Sequence, residues 1–235
     1  MHERELEVRR LGLIGYGAAF ELQKQLERDV IEKRERDYFL LLEHPHTFTV
    51  GRRAKEAGVL ASAEILRAIG AEVFESDRGG KVTYHGLGQI VGYPIISLSP
   101  DREDVHKYVR DVEEVLIRTL ADYEIEGFRI EGLTGVHTTE GKVAAIGIHI
   151  KRWVTTHGFA LNVNTDLDYF NWIIACEGEP VTSMQRLLGR DVDMTEVEDR
   201  LVANFADVFQ IGNVLDETVT GTLAAQTRPL AGTSI

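Results

Sequence analysis

Apolar residues recur at helical spacing in separate stretches of the chain. Ala19, Leu22, Leu26 and Val30 follow Gly15 and Gly17 one turn apart, which predicts a first helix feeding a sheet. From Glu103 to Tyr123 the residues Val105, Tyr108, Val109, Val112, Leu116 and Leu120 form one stripe with charged residues opposite, the clearest helix of the chain. A third helix opens at Thr195, whose hydroxyl can cap while Glu198 reaches back, and Val197, Leu201, Phe205, Val208 and Phe209 supply its buried face. After Gly212 the periodicity stops, and residues 213–235, which include many Thr, Gly and Ala, read as an irregular C-terminal tail.

The intervening chain is strand-like, with Tyr38 to Glu43, Lys81 to Tyr84, Ile90 to Leu98, Lys142 to Ile150 and Thr155 to Val163 as the candidates. Phe159, Leu161 and Val163 alternate with Gly158, Ala160 and Asn162, so one face of that strand is bulky and the other nearly bare. Strands and helices do not alternate strictly. The expected fold is therefore α+β, a mixed β-sheet with packed helices, in a single domain over residues 1–212.

Composition fits a folded chain: of 235 residues, 43% are hydrophobic and 27% charged. Lys and Arg number 26 against 38 Asp and Glu, a formal net charge of −12, which argues against nucleic acid or an anionic membrane surface as partner. No apolar run approaches the roughly 20 residues that span a bilayer. The opening Met1-His2-Glu3-Arg4-Glu5 is too charged for a signal peptide, so a cytoplasmic protein is expected. A single cysteine excludes an internal disulfide and agrees with a reducing compartment.

That cysteine, Cys176, ends the apolar run Trp172-Ile173-Ile174-Ala175 and precedes Glu177-Gly178-Glu179-Pro180, where the chain must turn toward solvent. Its residue type is compatible with an inert core thiol or a reactive one. A reactive thiol, with an ordinary pKa of about 8.5, needs a group that stabilises the thiolate. Lys142, entering a strand after the Glu140-Gly141 turn, could serve or could be a solvated surface charge. The bare stretches Ala144, Ala145, Gly147 and Gly158, Ala160 mark either a thin ligand or close approach of other backbone. The segment Asp77 to Gln89 is the densest polar stretch. Its Gly-x-Gly lacks the Rossmann and Walker spacings, so the alternative to a phosphate cradle is two tight turns flanking a strand. His44-Pro45-His46 lacks the further ligands of a zinc site, and no metal or cofactor is expected.

Three ordered motifs, RGGKVTYHGLGQIVGYPI from Arg78, KVAAIGIHIKRWVTTHGFALNVNTDL from Lys142, and Cys176 followed by Val181-Thr182-Ser183, resemble the lipoyl(octanoyl) transferases. The resemblance spans roughly residues 6 to 210. It implies the fold of biotin and lipoate-protein ligase catalytic domains. It implies octanoyl-acyl carrier protein as donor, and as acceptor a lysine of the lipoyl domains of 2-oxoacid dehydrogenase E2 subunits and the glycine cleavage H protein. Carried over by motif, Cys176 forms an acyl-thioester and Lys142 lowers its pKa or shuttles its proton. Arg78, Gly79, Gly80, Lys81, Val82, Thr83, Tyr84 and His85, with Ala145, Ile146, Gly147, Gly158, Phe159 and Ala160, bind the acyl substrate. Departures from the family pattern are Leu87 for a proline, His137 for an aromatic Trp, and Glu177 beside the nucleophile. An ATP-dependent lipoate or octanoate ligase on the same fold, and a silent lipoyl-domain or carrier binder, are the competing readings. Because both protein partners are usually acidic, a basic rim drawn from Arg52, Arg53, Lys55, Arg78, Lys81, Lys151 and Arg152 is expected.

Overall fold

A computed structural model describes residues 4–33, 36–54, 58–173 and 180–218. Its centre is a seven-stranded mixed sheet in the order β10-β1-β2-β6-β9-β8-β7. The strands are β1 (Glu5–Leu13), β2 (Asp37–Glu43), β6 (Gln89–Ile95), β7 (Val136–Thr138), β8 (Gly141–Lys151), β9 (Val154–Asn162) and β10 (Asn213–Thr218). β10, β1 and β2 run parallel, and the pairs from β2 through β6, β9 and β8 to β7 are antiparallel. A smaller sheet, β4-β3-β5, joins β3 (Thr47–Val50), β4 (Glu72–Glu75) and β5 (Val82–His85). The short helices α2 (Ala63–Ala68) and α4 (Met184–Leu188) complete the connections, with a 3-10 turn at Leu167–Trp172.

Alternation along β2 shows how the layers are separated. Phe39 and Leu41 point into a core with α3 (Val105–Ala121) and α5 (Met194–Phe209), supplied by Val112, Leu116, Leu201 and Phe205. Leu40 and Leu42 point the other way, onto Ala19, Leu26 and Val30 of α1 (Tyr16–Lys33). The helical stripes expected in α1, α3 and α5 are thus the faces that cover the sheet, with period two in the strand meeting period 3.6 in the helices. Val105 departs from its stripe, being exposed at the first turn of α3.

Two expectations are corrected. The N-cap of α5 is Asp193, whose carboxylate accepts from the backbone of Thr195 at 2.8 Å and Glu196 at 3.2 Å. An anionic acceptor opposite the positive end of the helix displaces the Thr195 hydroxyl from the capping position. Residues 213–218 are not irregular: β10 pairs in parallel with β1, Leu6 opposite Val214 and Val8 opposite Asp216. Edge pairing, invisible to periodicity in the short stretch Asn-Val-Leu-Asp-Glu-Thr, satisfies one side of β1. The remainder of the expected tail lies outside the described residues. Among the described residues no helix is long and apolar enough to cross a membrane.

Candidate active site

A cavity of about 250 Å³ opens over the β8–β9 ladder. Ala145 pairs with Ala160 and Gly147 with Gly158, so the floor beneath it is nearly free of side chains, while Ile146 and Phe159 contribute apolar edges. One wall is the loop after β4, with Arg78, Gly80 and Lys81, continuing into Val82, Thr83 and His85 of β5. Gly132, Leu133, Thr134 and Lys142 form another, and Phe170, Ile173 and Val181 a third. Exposure orients the cavity: Arg53, Lys81, Gly132 and Thr134 are exposed at its rim, while Tyr16, His85, Tyr93 and His157 are buried at its inner end.

The glycines in the floor answer the question their sequence left open. A Cβ at Gly147 would lie 3.0 Å from the Gly79 carbonyl oxygen, and one at Gly158 only 2.2 Å from the Gly92 oxygen. Both therefore mark close approach of neighbouring backbone, and the space for a ligand lies beside them, over Ala145 and Ala160.

Lys142 is fixed from several directions. Its ammonium donates to the Thr134 carbonyl at 2.7 Å. Its backbone N–H donates to Pro180 O at 2.8 Å and its carbonyl accepts from Thr182 N at 3.0 Å. The chain that returns from the cysteine segment is thus hydrogen-bonded to the lysine residue itself. Cys176 and Glu177 lie outside the described residues; the cavity-lining residues that flank them in sequence are Ile173 and Val181.

The inner end is a network of neutral polar groups that sequence reasoning did not assemble. His44 donates from Nδ1 to the Ile14 carbonyl at 2.7 Å, which leaves Nε2 to accept the Tyr93 hydroxyl at 2.8 Å. Burial lowers the His44 pKa to about 4. His85 donates from Nδ1 to Gln89 Oε1 at 2.9 Å, and burial, with His44 and Arg78 nearby, holds it well below the ordinary histidine range. Tyr16 bonds Ser76 at 2.9 Å. His44, His85, Tyr16 and Tyr93 are uncharged at neutral pH and give the cavity a polar end wall in which each of the four has a hydrogen-bond partner. The signal in the sequence was histidine and tyrosine on a helix start (Tyr16), a loop (His44) and two strands (His85, Tyr93), which single-residue reading cannot pair.

Two of the anticipated substrate-binding residues lie outside the cavity lining. Tyr84 does not line the cavity: its hydroxyl shares a 2.7 Å hydrogen bond with His46 Nδ1, and its ring stacks on Tyr169 on the opposite face of β5. Gly79 does not line it either, and its N–H donates to Ile148 O at 2.9 Å. Arg78 cannot belong to a basic rim, because it is buried with its guanidinium on the Thr49 carbonyl at 2.7 Å and hydroxyl at 2.8 Å. Arg52, Arg53, Lys81, Lys151 and Arg152 are exposed, and Lys55 lies outside the described residues. The Gly-x-Gly stretch is a single tight turn between β5 and β6, and Gly88 N–H is already taken by the Glu43 carboxylate at 2.6 Å. His44 and His46 are engaged as above, and among the described residues no group of three or more potential ligands could hold a metal ion.

Residues 15–206 match the family of the Lipoyl protein ligase A/B catalytic domain. The chain belongs to this family. Among curated relatives it is 49% identical to an octanoyltransferase of Solibacter usitatus, over 86% of this chain and 92% of that protein. It is 50% identical to an octanoyltransferase of Rubrobacter xylanophilus, over 87% and 94% respectively. Its fold is that of the bi-partite lipoate protein ligase solved from Thermoplasma acidophilum, with TM-score 0.71 and 19% identity over 92% of this chain and 88% of that one. Lipoate-protein ligase A bound with ATP superposes with TM-score 0.70 at 18% identity, covering 93% and 90%. This chain's octanoyltransferase relatives make it an acyltransferase of protein lipoylation.

Proposed function

We propose that this octanoyltransferase works through a covalent octanoyl-thioester on Cys176, taking the acyl group from octanoyl-acyl carrier protein and passing it to a lysine of a lipoyl domain. The observation that carries this reading is the pair of backbone hydrogen bonds joining Lys142 to Pro180 and Thr182. Three residues separate Cys176 from Pro180, within reach of the ammonium for a chain that returns to Lys142.

In the first half-reaction the Cys176 thiolate attacks the donor carbonyl, forming the enzyme S–C bond. Collapse breaks the carrier's S–C bond, and the departing thiolate takes a proton from the Lys142 ammonium. In the second, the acceptor lysine's neutral amine attacks the acyl-enzyme, its excess proton passes to Lys142, and Cys176 leaves as thiolate. An ammonium has three N–H bonds, of which the Thr134 carbonyl takes one. An ammonium beside the sulfur stabilises the thiolate, and the thiolate stabilises the ammonium. The product amide is more stable than the thioester, so no nucleotide is consumed.

The alkyl chain lies over Ala145 and Ala160 with Ile146 and Phe159 at its sides, each buried methylene contributing about 0.8 kcal/mol. The acceptors are the lipoyl domains of 2-oxoacid dehydrogenase E2 subunits and the glycine cleavage H protein. The setting is the cytoplasm, where a reducing environment keeps a lone thiol free. The test is octanoyl transfer from carrier protein to an isolated lipoyl domain, followed by acceptor mass with and without ATP. Transfer without ATP that is lost in Cys176→Ser supports the reading. Transfer that requires ATP and free octanoate, and survives Cys176→Ser, identifies a ligase instead.

A further inference from the structure

We propose that Asp77 and His157 are a positioning pair that seats the Arg78–Lys81 loop on the β8–β9 ladder and thereby fixes one wall of the acyl cavity. This rests on the reading of the cavity as the acyl site. The loop forms no strand, and on the side of the small sheet its Arg78, Gly80 and Lys81 carbonyls accept from the backbone of Arg52, Arg53 and Gly51. Two hydrogen bonds seat it on one rung of the large sheet: Gly79 N–H donates to Ile148 O at 2.9 Å, and His157, the residue paired with Ile148, donates from Nε2 to Asp77 Oδ1 at 2.6 Å. The next rung, Gly147 opposite Gly158, has no side chains, and the Gly79 carbonyl occupies the space a Cβ at Gly147 would need. The rungs after that, Ile146 with Phe159 and Ala145 with Ala160, line the cavity. The touchdown point therefore sets how far the wall stands from the alkyl-binding rungs.

His157 is itself held in an unusual state. Its backbone is left-handed at φ 57°, uncommon for any residue but glycine, and its N–H donates to Gln23 Oε1 at 2.7 Å. A conformation of that kind persists only where the surroundings over-determine it. Its ring is buried between Phe20 and Tyr93. Asp77 is held from its other side by Lys24 of α1 at 2.9 Å, so one carboxylate joins loop, helix and sheet. Burial keeps His157 neutral, while its hydrogen bond and that of Lys24 hold Asp77 below the usual carboxylate range. From residue 142 to 148 along β8 is on the order of 20 Å at the usual strand rise. The pair is too far from Lys142 to exchange protons with the reacting thioester, and its effect is exerted on binding.

The experiment compares Asp77→Asn, Asp77→Ala and His157→Asn, the last chosen because Asn tolerates the left-handed backbone but is too short to reach Asp77. Folding is checked by circular dichroism and melting temperature, and KM and kcat are measured for hexanoyl, octanoyl and decanoyl carrier protein. The expected result is a KM for the octanoyl donor raised about tenfold in Asp77→Ala and His157→Asn, with kcat within about threefold of the parent. Discrimination among the three chain lengths should weaken. Asp77→Asn, which still accepts the imidazole N–H, should be intermediate, and the Asp77→Ala/His157→Asn double variant no worse than either single one. Parental KM and chain-length profile in folded variants would overturn the proposal, as would a loss confined to kcat. The affinity of an unreactive octyl thioether of pantetheine separates this from the covalent mechanism. A parent that binds it but forms no acyl-enzyme refutes the Cys176 reading alone, and equal affinity in parent and Asp77→Asn, Asp77→Ala and His157→Asn refutes the positioning pair alone.

Discussion

The ammonium of Lys142 sits 2.7 Å from the carbonyl oxygen of Thr134, and the lysine stem reaches it by passing over Gly135. A Cβ on Gly135 would lie 2.7 Å from Lys142 Cε and 2.5 Å from the Ala144 oxygen, and the residue's φ of 122° is closed to other amino acids. Gly135→Ala should therefore displace the ammonium. The rate of acyl-enzyme formation is expected to fall by about tenfold or more, with a melting temperature a few degrees lower. Rapid-quench intact mass measures the first and calorimetry the second. A parental rate would mean the placement of Lys142 by Thr134 is irrelevant to the chemistry.

Gly158 should tolerate no side chain for a different reason. Its Cβ would meet the Gly92 oxygen at 2.2 Å and Pro94 Cδ at 2.7 Å, forcing β6 and β9 apart beneath the cavity. Gly158→Ala is expected to cost about 2–4 kcal/mol in urea unfolding. A cost below 1 kcal/mol would show that the strands yield easily.

Asp37 supplies a pH-dependent prediction. Its carboxyl, buried and accepting from Ser97 N at 2.8 Å, is pushed by burial from the ordinary 3.8 up to about 6. Between those values the folded chain keeps a proton that the unfolded chain has lost, so stability falls as pH rises from 3.8 to about 6 and stays lower above it. At about 1.4 kcal/mol per pKa unit the ionised group costs about 3 kcal/mol. Asp37→Asn retains the acceptor for Ser97 without the charge. It should stabilise the protein by up to that amount at about pH 7.5 and by almost nothing near pH 3.5, as followed by urea titration at both. A gain equal at the two pH values would point to packing rather than ionisation.

At the cavity rim Arg53 and Lys81 are exposed and line the opening, and neither has an acidic partner among the described residues. In a chain of net charge −12 this is where an acidic carrier or acceptor is most favourably met. Arg53→Glu with Lys81→Glu should raise KM for the carrier donor several-fold and flatten its salt dependence, leaving octanoyl-pantetheine less affected. An unchanged salt profile would move the docking surface elsewhere.

The helices and the bare face of the β8–β9 ladder were legible because each depends on local pattern. The stripe Tyr108, Val112, Leu116 and Leu120 is a helix face in any context, and the bare alternation around Gly158 and Ala160 is a strand property. What local pattern could not provide was partner choice. The edge strand β10 exists because β1 presents an open ladder, and Tyr84 is drawn away from the cavity by His46 and Tyr169, residues 38 and 85 positions distant. The His44–Tyr93 and Asp77–His157 hydrogen bonds join residues 49 and 80 positions apart. Nothing in the spacing of either pair marks it. The motif resemblance supplied Lys142 beside the cysteine segment, and the folded chain adds the physical link through Pro180 and Thr182.

The central claim is a covalent octanoyl group on Cys176 with Lys142 as its proton partner. It is tested most directly by intact mass after mixing the purified protein with octanoyl-carrier protein in the absence of ATP, beside Cys176→Ser and Lys142→Ala. An added octanoyl mass that hydroxylamine removes, that is absent from Cys176→Ser and that forms more slowly in Lys142→Ala, is the predicted result. No adduct on the parent protein, or an adduct that persists in Cys176→Ser, would contradict it.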